Sequence, residues 1–189
     1  MRVALTKTLA VAVLAAPVAA PVALAGTATP PARTRAGTGA APAPTRAQAQ
    51  TAVRRAERSR ALWATVNICD SRRYPNAIGV RGQMPALGFQ SSMSLDIQVN
   101  YYSRAKHRFV PSPHARMTIP LRPSSTRLEQ GGSTFMFAPR NTRLDATVQF
   151  VWRRSGRLLG ETTRTTTAGH PDADFGSPPH FSAATCRLR

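Results

Sequence analysis

The stretch MSLDIQVNY, residues Met93–Tyr101, decides the fold. Apolar side chains occupy every second position of this segment, and serine, aspartate, glutamine and asparagine fill the positions between them. A period of two predicts a β-strand with one buried face and one solvated face. Strands of this kind are typical of antiparallel sheets, because strands in parallel sheets are usually apolar on both faces.

The same alternation returns at Leu144–Trp152, where leucine, alanine, valine, phenylalanine and tryptophan form the inner row. A hairpin turn follows at Arg154–Arg157, because Gly156 can adopt a positive φ. The partner strand, Arg157–Thr166, is rich in threonine and poor in large apolar residues, so we expect an edge strand. Shorter strands are predicted at Leu62–Cys69, Ile78–Met84, Ala115–Leu121, Thr134–Ala138 and Ser182–Leu188.

Turn-forming residues separate these segments, as at Pro111–Pro113 and Gln130–Gly132. Seven or eight short strands without helices between them predict an all-β domain over residues 62–189. The strand pattern resembles that of an antiparallel β-sandwich of the immunoglobulin-like or fibronectin-III-like type. In Thr167–His170 and Ser182–Cys186 the chain is also similar to secreted proteins of high-GC actinobacteria, a resemblance that implies export and no particular activity.

Residues 1–25 have the features of a secretory signal peptide. Arg2 and Lys7 supply basic charge, residues 9–22 are apolar and uncharged, and Ala-Leu-Ala at residues 23–25 offers a cleavage site. The protein is therefore expected to be secreted, either extracellular or associated with the cell envelope. No later segment is apolar for long enough to cross a bilayer, so we expect no integral membrane span after cleavage.

A linker and a short helix are expected between the signal peptide and the domain. Residues 26–50 are dominated by alanine, proline, threonine and glycine, which bury too little apolar surface to offset the entropy of ordering, so this segment is predicted to be disordered. Residues 51–61 combine alanine and arginine with Glu57, all good helix formers, and predict a short basic helix.

The chain contains two cysteines, Cys69 near the end of the first predicted strand and Cys186 in the last one. In an exported protein a disulfide between them is the default interpretation, with free thiols and an intermolecular bond as less favoured alternatives. Strict alternation places Val66 and Ile68 on the inner face and Cys69 on the opposite face. A bond to Cys186, in the inner row of its own strand, then requires the first strand to end or twist at Cys69.

Positive charge is the feature of the sequence that points most directly to a partner. The formal net charge is +18, from 26 basic and 8 acidic residues. Eight of the 26 basic residues form three clusters, each at a predicted strand end or turn: Arg72 and Arg73; Arg104, Lys106 and Arg108; and Arg153, Arg154 and Arg157. If these clusters converge, they would attract an anionic cell-envelope polymer or another polyanion, such as teichoic acid, nucleic acid or acidic lipid headgroups. Tyr101 and Tyr102 could then stack on bases or sugars. If the arginines are spread evenly, they only keep a secreted protein soluble.

One loop near the C-terminus contains a group of potential metal ligands: His170, Asp172, Asp174 and His180. Carboxylates at alternating positions can bind Ca²⁺, and histidine with aspartate can bind Zn²⁺. No late bidentate glutamate follows in this loop, and aspartate and proline are ordinary turn residues, so a plain loop is favoured over a metal site. We predict no metal and no cofactor.

A non-enzymatic binding module is the preferred interpretation, with a small secreted hydrolase or sortase-like transpeptidase as the alternative. Gly169–His170 and Thr185–Arg187 echo fragments of sortase motifs, and a thiolate beside an imidazolium is plausible nucleophilic chemistry. The histidine and cysteine lie closer in sequence than that family requires, and no strand follows Cys186 to carry its arginine. The sequence supplies no nucleophile elbow, phosphate loop or zinc-binding helix motif, so no catalytic residue is assigned.

Overall fold

The computed structural model describes residues 43–139 and 141–189. The predicted signal peptide and residues 26–42 of the predicted linker lie outside the described residues. Within those two ranges the chain forms one helix and eight strands, with bounds α1 Arg46–Glu57, β1 Trp63–Ser71, β2 Tyr74–Pro85, β3 Ser92–Ser103, β4 Arg108–Pro120, β5 Leu128–Met136, β6 Thr142–Arg154, β7 Arg157–Thr165 and β8 Cys186–Leu188.

The strands form two antiparallel sheets, which confirms the all-β prediction for the described residues. The first sheet has the order β1-β2-β5, and the second has the order β4-β3-β6-β7. Strand β8 pairs with the beginning of β6, on the edge that β7 occupies further along. Strand β7 therefore lies at the end of its sheet, as its threonine-rich sequence predicts.

Both sheets contribute to one hydrophobic core. The inner row of β3 is buried from Met93 to Val99, and that of β6 is buried from Leu144 to Trp152. A Cβ atom placed on Gly82 of the first sheet would lie 3.2 Å from Leu95 and Phe150 of the second sheet. The alternation in the two deciding stretches thus predicts the buried face correctly, because each row packs against the opposite sheet.

A β-bulge brings Cys69 onto the inner face. Val66 pairs with Val80 and Ile68 pairs with Gly79, so Asn67 is an extra residue in β1. The extra residue reverses the alternation after it, and Cys69 pairs with Ile78 of the inner row. Simple alternation therefore gave the wrong face for Cys69.

The predicted disulfide is present and joins the two sheets. Cys69 at the end of β1 is bonded to Cys186 at the start of β8, across a sequence separation of 117 residues and a Cα–Cα distance of 5.2 Å. Cys186 is fully buried. Because β1 belongs to the first sheet and β8 to the second, the bond fixes one end of the domain.

Two segments predicted as turns lie inside strands. Gly131 and Gly132 lie in the middle of β5. Glycine is needed there because neither position has room for a side chain. A Cβ atom on Gly132 would collide with the Val80 carbonyl oxygen, and one on Gly131 would collide with the Leu121 side chain. Pro111–Pro113 lies in β4, where the pairing with β3 shifts register between Gln98 and Asn100. The edge position of β4 accommodates these prolines, because the outer side of the strand needs no ladder donor.

The helix begins at Arg46, earlier than the predicted start at residue 51, and ends at Glu57. A capping box explains the early start: the Thr45 hydroxyl accepts from the Gln48 backbone N–H, and the Gln48 side chain accepts from the Thr45 backbone N–H. Val53 packs against Gly160 of β7, where a Cβ atom would collide with it. Among the described residues, no helix is long and apolar enough to span a membrane.

Residues 166–185, which we call the C-terminal strap, pair with the free edge of β1 and cover its outer face through contacts with Trp63, Thr65 and Asn67. The Thr167 N–H donates to the Ala64 carbonyl at 2.8 Å, and the Val66 and Ala183 backbones exchange hydrogen bonds of 2.9 and 3.0 Å. The Ser177 N–H donates to the Asn67 carbonyl at 2.9 Å. Strand β1 is consequently buried on both faces, and the predicted last strand is reduced to β8 because residues 182–185 belong to the strap.

Candidate functional site

Two of the three basic clusters lie at one end of the sheets. We call it the disulfide end, where β1 and β3 finish and β6 begins. Leu144 of β6 pairs with both Tyr101 of β3 and Cys186 of β8, and the latter is bonded to Cys69. The adjoining turns carry exposed basic residues of the first two clusters: Arg72, Arg73, Arg104, Lys106 and Arg108.

The third cluster lies at the opposite end. Arg154 pairs with Arg157 across the β6–β7 turn, and Arg153 pairs with Ser92 at the start of β3. Strand β6 runs from Thr142 to Arg154, so at roughly 3.3 Å per residue its ends are about 40 Å apart. The three predicted clusters therefore do not form one surface.

An arginine–aromatic row crosses the outer face of the second sheet at the disulfide end. Phe109 of β4 pairs with Tyr102 of β3, and their rings meet edge to face at 5.5 Å. Arg143 of β6 extends its guanidinium over both rings, 4.9 Å from the Tyr102 centroid and 5.2 Å from the Phe109 centroid. Arg187 of β8 pairs with Arg143 on the next strand. Four strands thus place two aromatic rings beside two guanidinium groups.

A cavity of about 310 Å³ opens on this row, lined by Tyr102, Arg104, Asn141, Thr142, Arg143 and Arg187. None of these described lining residues is acidic. Arg187 Nε donates to Asn141 Oδ1 at 3.4 Å, which leaves the terminal nitrogens of Arg187 toward the cavity without a carboxylate partner among the described residues. Guanidinium groups, an amide and a hydroxyl together form a donor set suited to phosphate oxygens.

A buried carboxylate lies next to the cavity. Asp145 is two residues from Arg143 on the same face of β6, is 7% exposed, and accepts from Asn100 Nδ2 at 2.9 Å. Burial raises the pKa of Asp145 above its ordinary value, while the hydrogen bond from Asn100 and the charge of Arg143 act in the opposite direction.

Arg143 and Arg187 are absent from the predicted binding set. The sequence does contain a signal for their orientation, because each precedes a buried residue of an inner row, Leu144 and Leu188. Their juxtaposition depends on the pairing of β8 with β6, which no local pattern reveals. The Tyr102 ring contacts Arg143, whereas Tyr101 is 39% exposed and lines a different cavity.

The loop that contains the four potential metal ligands is held in place by ring stacking and by side-chain hydrogen bonds to its backbone. The imidazole of His170 stacks on Trp63 at 4.6 Å, and Gln130 bonds to the Asp172 carbonyl and to the Asp174 N–H. His180 Nδ1 lies 3.2 Å from the Pro171 carbonyl oxygen. In residues 43–139 and 141–189, no three histidine, cysteine or acidic side chains are grouped so as to hold a metal ion.

The thiol chemistry that a sortase-like enzyme needs is missing from this site. Cys186 is bonded to Cys69, so its sulfur is not a thiolate. His170 stacks on Trp63 at the start of β1, whereas Cys186 is bonded to Cys69 near the other end of that strand. Burial lowers the pKa of His170, which disfavours the imidazolium that would activate a cysteine.

No known protein family, curated protein or solved structure matches this chain. The chemistry of the disulfide end therefore carries the functional inference.

Proposed function

We propose that this protein is a non-enzymatic module, secreted or associated with the cell envelope, that binds phosphodiester-linked envelope polymers of the teichoic-acid type at its disulfide end. The supporting observation is the cavity in which Arg104, Arg143 and Arg187 converge with no acidic side chain among the described lining residues. An anion entering it would meet several charge-assisted donors at once.

The proposed scaffold is a sandwich of the immunoglobulin or fibronectin-III type. Strands β1, β2 and β5 would correspond to strands A, B and E of that fold, and β3, β6 and β7 to strands C, F and G, with β4 as the additional strand next to C. Loops cluster at the two ends of such a sandwich, where these folds commonly bind ligands. The arginine-rich β1–β2 and β3–β4 turns would then border the proposed site.

Export is part of the proposal because it explains the disulfide. Bonds such as Cys69–Cys186 persist in oxidising compartments and are rare in the reducing cytosol. The same compartment would give the module access to anionic envelope polymers.

Arg143 is the residue on which the proposed binding depends most. Its contacts with Tyr102 and Phe109 hold the guanidinium in place before a ligand arrives, so less conformational entropy is lost on binding. The exposed arginines of the two neighbouring turns would add long-range attraction. We therefore expect binding that is strong at low salt and weakens steeply as salt rises.

The test is a salt titration of binding by fluorescence anisotropy with three labelled polymers: teichoic acid, single-stranded DNA and polyglutamate. The double variant Arg143→Gln/Arg187→Gln is compared with Arg153→Gln/Arg157→Gln, which removes the same charge at the opposite end. We expect the first variant to lose at least tenfold in affinity for teichoic acid and to lower the salt slope by about two, because two phosphate contacts are removed. The second should change affinity less than threefold.

Equal losses in the two variants would contradict a localised site and leave only diffuse attraction by net charge. Equal affinity for polyglutamate would show that charge alone, and not phosphate geometry, governs binding. Preference for DNA over teichoic acid would overturn the assignment to an envelope polymer while preserving the phosphate site.

A further inference from the structure

Another cavity lies beside β5, and its lining differs chemically from that of the cavity at the arginine–aromatic row. Its volume is about 620 Å³, and it is bordered by β2, β5, the end of β4 and the C-terminal strap. Gly131 and Gly132 form a stretch of its wall without side chains.

Phe175 stands at the edge of this cavity as an exposed aromatic platform. The side chain is 80% exposed, and the residue has a φ of 57°, in the left-handed region that bulky residues rarely adopt. Neighbouring contacts hold it there: Asn67 Nδ2 donates to the Asp174 carbonyl at 2.8 Å, and the Asp174 N–H donates to Gln130 Oε1 at 3.1 Å. The open face of the Phe175 ring is therefore available to contact a ligand.

Arg81 supplies unused hydrogen-bonding capacity under this platform. Its guanidinium carbon lies 5.0 Å from the centroid of the Phe175 ring and covers one face of the ring. Among the described residues, no group accepts a hydrogen bond from the buried Arg81 Nε. Burial lowers the pKa of Arg81, while the charge of Asp174 acts in the opposite direction. The Arg81 side chain also lines the cavity, so its guanidinium group is in position to bond with a ligand oxygen there.

The charges around this cavity cancel. The charged residues among the described lining residues are Arg81, Arg122, Glu129 and Asp174, which sum formally to zero in a chain of net charge +18. Gln83 and Gln130 add amide groups that both donate and accept. The lining therefore offers both donors and acceptors with no net charge, whereas every charged lining residue of the cavity at the disulfide end is an arginine.

We propose that the Arg81–Phe175 cavity binds a pyranose unit of an uncharged polysaccharide. The apolar C–H face of the sugar would stack on the open face of Phe175, and its hydroxyl groups would bond with the guanidinium, amide and carboxylate groups below. An aromatic platform with a few convergent polar groups suits a ligand with one apolar face and several hydroxyls. This site does not depend on the proposed phosphate site, and the two would let one module contact two components of an envelope.

The test is saturation-transfer difference NMR on the whole chain with maltohexaose, cellohexaose and mannohexaose at millimolar concentration, with trigalacturonate as the charged comparison. We expect transfer to the C–H protons of at least one neutral hexaose, with affinity unchanged between low and physiological salt. Phe175→Ala should reduce that affinity at least tenfold and leave the fold intact, because the side chain is exposed and packs in no core. Tyr102→Ala, which alters the aromatic group at the disulfide end, should leave it unchanged.

Transfer to none of the three neutral oligosaccharides would overturn the proposal, as would equal binding by Phe175→Ala and the parent protein. Binding of trigalacturonate alone, with loss at physiological salt, would also overturn it, because a charged ligand contradicts the balanced lining. Failure of teichoic acid binding in the earlier experiment has no bearing on these outcomes.

Discussion

The guanidinium of Arg143 lies 4.9 Å from the centre of the Tyr102 ring on the neighbouring strand β3. This contact joins the two strands at the disulfide end and fixes the direction of the central arginine of the proposed phosphate site. A second cation–π pair, Arg154 over Phe89 at 5.6 Å, lies at the opposite end. The Arg154–Phe89 pair therefore serves as a control for variants of the Arg143–Tyr102 pair.

Replacement of Tyr102 by leucine should weaken binding to teichoic acid three- to tenfold. The leucine preserves apolar bulk, but the cation–π attraction of about 0.5–1 kcal/mol is lost and Arg143 becomes free to adopt other rotamers. Anisotropy titration at low salt measures the change. Phe89→Leu removes the equivalent contact from Arg154 and should leave binding unchanged; a similar loss in both variants would contradict a role for Arg143 orientation.

Removal of the disulfide should lower the free energy of unfolding by about 5 kcal/mol, because a bond that closes a loop of 117 residues strongly restricts the unfolded chain. Urea unfolding of Cys69→Ser/Cys186→Ser against the parent chain measures this difference. The parent chain under strong reductant serves as a control, since it should reproduce the loss without any substitution. A change below about 1 kcal/mol would contradict the account of how the two sheets are fixed.

Alanine at Gly132 should destabilise the domain by about 1–3 kcal/mol, because its Cβ atom would collide with the Val80 carbonyl oxygen and force β2 and β5 apart. Ser133→Ala alters the adjacent position on β5 and should change stability by less than about 0.5 kcal/mol. Urea unfolding compares the two. Equal stability of the Gly132 variant and the parent would contradict the observed pairing of β2 with β5.

Replacement of Asp145 by asparagine should change how stability depends on pH. Because burial raises the pKa of Asp145 from 3.8, the folded state retains a proton that the unfolded state has released in the window just above that value. The parent protein should therefore lose stability relative to Asp145→Asn as pH rises through this window. Unfolding free energies at a series of pH values from 3 to 7 test this. If the parent protein instead gained stability relative to the variant as pH rose through this window, the result would contradict a raised pKa for Asp145.

The local pattern of the sequence predicts the strands that build the core. The alternation in Met93–Tyr101 and Leu144–Trp152 is set by one face packing against the opposite sheet, so it can be read without the structure. The pairing of Cys69 with Cys186 could also be predicted, because two cysteines in a chain expected to be exported have few alternatives. The helix start at Arg46 was missed because a capping box at Thr45 interrupts a segment whose composition suggests disorder.

Long-range contacts explain what the sequence could not predict. The bulge at Asn67 and the glycines of β5 depend on neighbours distant in the chain, the strap and the Val80 carbonyl. The three basic clusters are visible in the sequence, but their separation into two ends depends on strand order. The row of Tyr102, Arg143 and Arg187 requires β8 to pair with β6 across more than 40 residues of chain.

The central claim is that Arg143 and Arg187 form the phosphate site, and NMR of the arginine side-chain Nε–Hε groups tests it most directly. The probe is a short glycerol-phosphate oligomer titrated into isotope-labelled protein at physiological salt. We expect the signals of Arg143 and Arg187 to shift together and saturate, while those of Arg153 and Arg157 remain in place. Equal shifts at both ends of the domain, or no shift at Arg143, would contradict the claim.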